Sequence, residues 1–179
     1  MEIVSLRVGS AMIELLQGDI TKQDVQAVVN AANKELAPGG GVAGAIHKAA
    51  GPQLWEECKT LGGCETGKAK ITAGYNLPAD YVIHTVGPVY NNTPQNAKDL
   101  ASCFRESLNL AKDKNIDSVA FPAISTGIFG YPVEDAAQVS LQAVVDFLKT
   151  NEKPRLVRFV LFGEEDFQVF KNALMNFSS

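Results

Sequence analysis

Apolar and polar residues alternate through Ile3-Val4-Ser5-Leu6-Arg7-Val8 and again from Ala11 to Leu16. Alternation of this kind puts every second side chain on one face of a strand. The intervening Gly9-Ser10 suits a two-residue hairpin loop, so the pattern predicts two paired strands over 3–9 and 11–19. The run Ala27-Val28-Val29-Asn30-Ala31 does not alternate. It is short and apolar almost throughout, as a strand buried on both faces is. Further strand-like runs fall at 69–77, 81–90, 118–124 and 156–163, and the turn-forming Asn76-Leu77-Pro78-Ala79-Asp80 separates the first two.

Between these runs the period changes. Residues 42–50, 53–62, 96–115, 133–151 and 164–177 read as helices. In the third, Leu100, Cys103, Phe104, Leu108 and Ala111 share one face. Gly62-Gly63 closes the second helix and Pro132 precedes the fourth. Glu164, Glu165 and Asp166 occupy the first turn of the last, where the helix dipole favours negative charge. After the initial hairpin, strands alternate with helices. This order predicts one α/β domain over 1–179, with a mixed sheet between helices in three layers, α/β/α.

Composition narrows the partners. With 16 basic and 20 acidic side chains, a net charge of −4 and no Lys/Arg cluster, the chain is not built to neutralise many phosphates, so general nucleic-acid binding is not expected. No apolar run reaches membrane-spanning length, and the N-terminal residues carry Glu2, Arg7 and Glu14 where a secretory signal would be apolar. Cys58, Cys64 and Cys103 have neither a CxxC nor a metal-ligand spacing and read as buried, reduced thiols. A cytoplasmic setting is expected, with no membrane partner.

Two glycine-rich segments follow strands. Pro38-Gly39-Gly40-Gly41-Val42-Ala43-Gly44 lies between the strand at 27–31 and a helix, and Ser125-Thr126-Gly127-Ile128-Phe129-Gly130 follows the strand at 118–124. Ligands of open α/β sheets bind outside the carboxyl ends of strands. Glycines there let a ligand approach the peptide plane, and a helix N-terminus adds unpaired N–H donors, a combination that suits phosphate. Two such loops in one domain suggest a cleft that grips a diphosphate from both sides. The P-loop and dinucleotide fingerprints are absent, which disfavours a nucleoside triphosphatase or a nicotinamide oxidoreductase.

The polar residues near these loops have competing readings. Asp19 either accepts hydrogen bonds from an adenine amino group and a backbone amide or caps a short turn through Thr21. Asn30 reads as a tie for the loop backbone, and Asn33, nearer the glycines, as the ligand contact. His47 is close enough to the start of its helix to face the cleft, or else packs in the core; His84, within a buried strand, reads as structural. Phe129 and Tyr131 either wall a ribose or base or belong to the core.

Taken in order, LLQGDIT, VVNAAN, PGGGVAGAIHKAAGP, the segment from LGGC to IHTVGP, and FPAISTGIFGYP resemble the macrodomain family, in particular its MacroD-type branch. The similarity covers nearly the whole chain. It implies a mixed, mainly parallel six-stranded sheet and a site for ADP-ribose, free or attached to proteins, with no metal or cofactor required. It also implies that Asp19 and the Ile20 N–H hold adenine, and that Asn33 reaches the distal ribose. Gly40, Gly41 and Val42 would line the distal ribose and diphosphate; Ser125, Thr126, Gly127, Ile128 and Phe129 would wrap them from the other side. Family members hydrolyse ADP-ribosyl esters on acidic side chains, deacetylate O-acetyl-ADP-ribose, or only bind ADP-ribose. His47 matches the histidine of the MacroD pattern. Hydrolysing MacroD-type members usually read GGGVDGAIH, whereas this chain reads GGGVAGAIH, with Ala43 at the place of the aspartate thought to orient or activate the attacking water. The resemblance therefore leaves a weakened hydrolase, a non-catalytic reader and an ADP-ribose 1″-phosphatase as readings of a monomer.

Overall fold

The N-terminal alternation folds as a hairpin. Strands β1 (Ile3–Val8) and β2 (Ala11–Gln17) run antiparallel, with Ile3 opposite Leu16 and Val8 opposite Ala11, and Gly9 takes φ +59° in the turn. A computed structural model describes residues 1–177, so residues 178 and 179 of the expected domain lie outside it. The other strands are β3 (Ala27–Ala31), β4 (Ala69–Ala73), β5 (Tyr81–Thr85), β6 (Ser118–Phe121) and β7 (Leu156–Leu161). They form one sheet in the order β1-β2-β7-β6-β3-β5-β4.

The sheet has seven strands rather than the six implied by resemblance, because both arms of the hairpin join it and β1 adds an outer edge. All neighbours from β2 to β5 pair in parallel; only the edge strands β1 and β4 run against their partners. The carboxyl ends of β2, β7, β6, β3 and β5 therefore open along one side of the domain.

Helices α1 (Gly41–Ala50) and α2 (Pro52–Lys59) cover one face, burying Ile46, Leu54 and Cys58 with Val28, Val82 and Val160. Helices α3 (Pro94–Asp113), α4 (Val133–Thr150) and α5 (Glu164–Met175) cover the other, over Ala27, Val29, Phe121 and Phe159. Successive residues of β3 thus enter opposite cores, which is why its sequence is apolar without alternating. Phe104, Phe121, Phe159 and Phe170 form a continuous aromatic spine, with successive ring centroids 4.8, 5.8 and 5.6 Å apart.

Strand β4 ends at Ala73 because the chain turns at once: Gly74 N–H donates to Asp80 O at 2.8 Å, and a Cβ on Gly74 would fall 2.0 Å from Ala79 O. Helix α3 begins at Pro94, ahead of the expected start, since Thr93 and Asn96 form a capping box. All three cysteines are free and buried, and burial pushes the Cys58 and Cys103 thiols up to about 11. Among the described residues no helix is long and apolar enough to cross a membrane.

Candidate functional site

Past β3 the chain bends through Asn33, whose carboxamide is engaged twice with one residue. Asn33 Nδ2 donates to Ala37 O at 2.9 Å, and Ala37 N–H donates to Asn33 Oδ1 at 2.9 Å. Leu36, fully buried at φ 59°, anchors the same loop. The loop delivers the exposed glycines to the start of α1, where Gly41 takes φ +56°. No side chain caps this helix, and the N–H groups of Gly41, Val42 and Ala43 have no acceptor among the described residues. Gly44 is required for packing, since a Cβ there would lie 2.3 Å from Gly39 O.

The second loop leaves β6 and is closed on itself. Tyr131 N–H donates to Ser125 O at 2.9 Å and Gly130 N–H to Gly127 O at 3.0 Å. Ser125 is held at φ 68°, a conformation uncommon for a residue with a Cβ, and its buried hydroxyl oxygen has no partner among the described residues. The N–H groups of Thr126 to Phe129 also have no acceptor among the described residues. Both loops line one cleft of about 400 Å³, formed by Asn33, residues 39–43, Gly87, Ser125 and residues 127–129. Thr126 lies between lining residues without lining the cleft itself. No charged side chain faces the cleft. What the cleft offers an anion is therefore main-chain N–H groups and a helix N-terminus.

Asp19 stands at the carboxyl end of β2. Its Oδ1 accepts from Thr21 N–H at 2.9 Å and from Thr21 Oγ1 at 2.7 Å, capping the single 3-10 turn Ile20–Lys22. The Thr21 hydroxyl contributes most to holding the Asp19 carboxyl below its ordinary range. The capping role is realised, and it uses one carboxylate oxygen, leaving Oδ2 open to a ligand. Beside it, Gly18 N–H donates to Leu161 O at 2.9 Å, extending the β2–β7 pairing to Phe162. Phe162 is 89% exposed, and with Gln17, Gly18 and Phe167 it lines a concavity of about 610 Å³. Sequence reasoning missed this residue. The available signal was an aromatic side chain just beyond the carboxyl end of a buried strand.

Three of the sequence expectations change. His47 does not line the cleft. It belongs to the buried face of α1 with Ala43, Ile46 and Ala50, and its ring lies 6.5 Å from Trp55 and 6.4 Å from His84. Neither ring nitrogen has a partner among the described residues, and desolvation lowers its pKa. Asn30 does not tie down the loop: it is fully buried, and its Nδ2 meets His84 Nδ1 at 3.0 Å. The loop tie is made by Asn33, which also lines the cleft. Tyr131 packs on Tyr90, with ring centroids 4.9 Å apart, and supports the second loop from behind; only Phe129 reaches the cleft.

His84 is structural, as expected. Thr72 Oγ1 donates to Ala73 O at 3.1 Å and so accepts from His84 Nε2 at 2.9 Å, which leaves Nδ1 to accept from Asn30. Burial, with His47 adding a smaller effect, pushes His84 down to about 3. Ala43 is the third residue of α1, 5% exposed and on the cleft wall. A carboxylate at this position would project from the first turn of the helix.

A mainly parallel sheet that opens onto two glycine loops with unpaired N–H groups has the architecture of a nucleotide-binding class of α/β domain. The family model described as Macro domain matches residues 29–140, and the chain belongs to the macrodomain family. ADP-ribose glycohydrolase MACROD2 of Xenopus laevis is 55% identical over 168 residues, which are 92% of this chain and 40% of that protein. This chain therefore spans less than half of that relative's length. A Macro domain-containing protein of Methanosarcina mazei is 54% identical over 163 residues, 90% of this chain and 87% of its own length. The solved Oceanobacillus iheyensis macrodomain with ADP superposes with a TM-score of 0.95 at 41% identity, covering 98% of this chain and 96% of that one.

Proposed function

We propose that this chain, as one monomeric macrodomain, binds ADP-ribose and hydrolyses ADP-ribosyl esters at a rate limited by Ala43. One observation carries the reading: residues 41–43 and 127–129, whose N–H groups have no acceptor among the described residues, line a single uncharged cleft of about 400 Å³. Such a cleft suits the diphosphate. The relative named as an ADP-ribose glycohydrolase and the similar macrodomain solved with ADP support the choice of ligand. In this reading Asp19 Oδ2 and the Ile20 N–H meet the adenine edge, Phe162 lies under the base, and Asn33 faces the distal ribose. Substrates are glutamate- or aspartate-linked mono-ADP-ribose and O-acetyl-ADP-ribose.

For turnover, a water held by the ligand's phosphate and the loop backbone attacks the anomeric carbon. The C1″–O bond breaks, the carboxylate leaves, and the proton of the water passes to phosphate or solvent. An aspartate at position 43 would accept that proton, and its absence removes an assistance of roughly 10²- to 10⁴-fold. His47 cannot substitute, because its ring faces Trp55 and His84 rather than the cleft.

Ala43 also favours a second reading, a module that recognises ADP-ribose without turnover. Release of ADP-ribose from a glutamate-linked mono-ADP-ribosylated protein, measured against a buffer blank, separates the two. Release at the blank rate leaves only the reader. Equal calorimetric affinity for ADP-ribose and AMP would remove the ligand assignment itself.

A further inference from the structure

We infer that the rim carrying Val89 and Ile128 receives the polypeptide to which ADP-ribose is attached, an assignment that rests on the proposed ADP-ribose site. Strand order sets the direction. Adenine contacts lie at the ends of β2 and β7, at Asp19 and Phe162, and the glycine loops follow β3 and β6. The next strand along the same side is β5, so the distal ribose and whatever it carries point toward the loop that follows β5. That loop lines the cleft at Gly87, and Val89 follows two residues on.

Val89 is 63% exposed, and Ile128, on the neighbouring loop, is 99% exposed. Tyr90 N–H donates to Phe129 O at 2.9 Å, and the packed Tyr90 and Tyr131 rings join the same two loops, so the segments that carry Val89 and Ile128 lie side by side. Ile128 itself lines the cleft, as does Gly87 at the start of the β5 loop.

The β5 loop is preorganised by its own side chains. Tyr90 Oη donates to Asn92 Oδ1 at 3.0 Å, Thr93 Oγ1 to Asn91 Oδ1 at 2.7 Å, and Asn91 N–H to Asn96 Oδ1 at 2.9 Å. A surface already ordered loses little entropy when a partner docks. From Gly87 to Ala97 there is no Lys, Arg, Asp or Glu. A nucleic acid would need cations here to neutralise its phosphates. Neutral carboxamides beside exposed aliphatic side chains instead match a polypeptide, whose backbone offers both donors and acceptors.

The test uses Val89→Asp, an exposed position outside the cleft lining, and three probes: free ADP-ribose, a short peptide bearing ADP-ribose through a non-hydrolysable linkage, and an end-phosphate ADP-ribosylated oligonucleotide. Val89→Asp is expected to weaken the peptide conjugate about tenfold while free ADP-ribose changes by less than about twofold, and Val89→Ile to bind both like the parent. Loss of neither affinity, or equal loss of both, overturns the rim assignment and leaves the ADP-ribose site standing. Tighter binding of the oligonucleotide conjugate than of the peptide overturns the choice of partner. Failure of the parent chain to bind free ADP-ribose overturns the underlying site instead, and the rim with it.

Discussion

The Ser125 hydroxyl fills the space that a side chain on Gly87 would need: a Cβ built on Gly87 falls 2.2 Å from Ser125 Oγ and 2.6 Å from Ile124 Cγ2. Ser125 is the left-handed residue at the head of the loop whose N–H groups enter the cleft. Gly87→Ala is therefore expected to displace that loop and weaken ADP-ribose binding by about tenfold or more. Adding Ser125→Gly removes the hydroxyl and suits the positive φ, so part of the affinity should return, although the Ile124 contact remains. Calorimetry on both variants, with melting temperatures in parallel, checks this; an unchanged Kd for Gly87→Ala would show that the contact does not set the loop.

Ala43→Asp places a carboxylate in the first turn of α1 and on the cleft wall. The expected result is a gain in ester hydrolysis of roughly 10²- to 10⁴-fold in single-turnover release assays. The helix dipole should offset repulsion from the diphosphate in part, since a negative charge in a first turn typically stabilises by about 0.3–1 kcal/mol. A rate unchanged from the parent would mean that the water is already fully oriented without this side chain.

Stability should fall as pH drops from near neutrality toward about 4.5. His84 has its pKa pushed down from 6.5 to about 3 in the fold, and that of His47 is lowered too. Below 6.5 the unfolded chain takes up protons that the folded chain refuses, so unfolding gains up to about 1.4 kcal/mol per pH unit from His84, and His47 acts in the same direction. The capped carboxyl of Asp19 is shifted down from 3.8, so its stabilisation is lost only at lower pH and the window above 4.5 belongs to the histidines. Urea midpoints across that window check the slope. A flat profile would contradict neutral burial of both rings.

Phe162→Ala should weaken ADP-ribose by about 1–3 kcal/mol, the usual worth of a base stacked on an aromatic ring. Binding of ribose 5-phosphate, which carries no base, should not change. Since the ring is 89% exposed, the melting temperature should also hold. Equal losses for both ligands would place the ring's effect outside base recognition.

How much of this was legible in the chain depended on whether a residue's role is local. Strand β3 was legible because both of its faces enter cores, and the hairpin because Gly9-Ser10 separates two alternating runs. That both glycine loops would border one cleft was legible from glycines placed after strands. Asn33 was placed at the cleft, where it lies, but the loop tie was assigned to Asn30 although Asn33 makes that as well, because both flank the same strand end with the same carboxamide. What separates them is His84, brought beside Asn30 only by the β3–β5 pairing. His47 was ambiguous for a similar reason: helical spacing puts it one turn beyond Ala43, but the packing of α2, through Trp55, decides what its ring meets. Phe162 needed strand order, since nothing in the sequence shows that β7 lies next to β2.

The cradle of the cleft is made of peptide N–H groups, and these are present whatever side chains the loops carry. Selection can therefore alter the chemistry of the wall at Ala43 without surrendering the grip on the diphosphate. In the proposed reading, a single codon separates a fast eraser of a modification from a slow one or a receptor for it. Lineages of this domain should cross that boundary in both directions while their ligand stays the same.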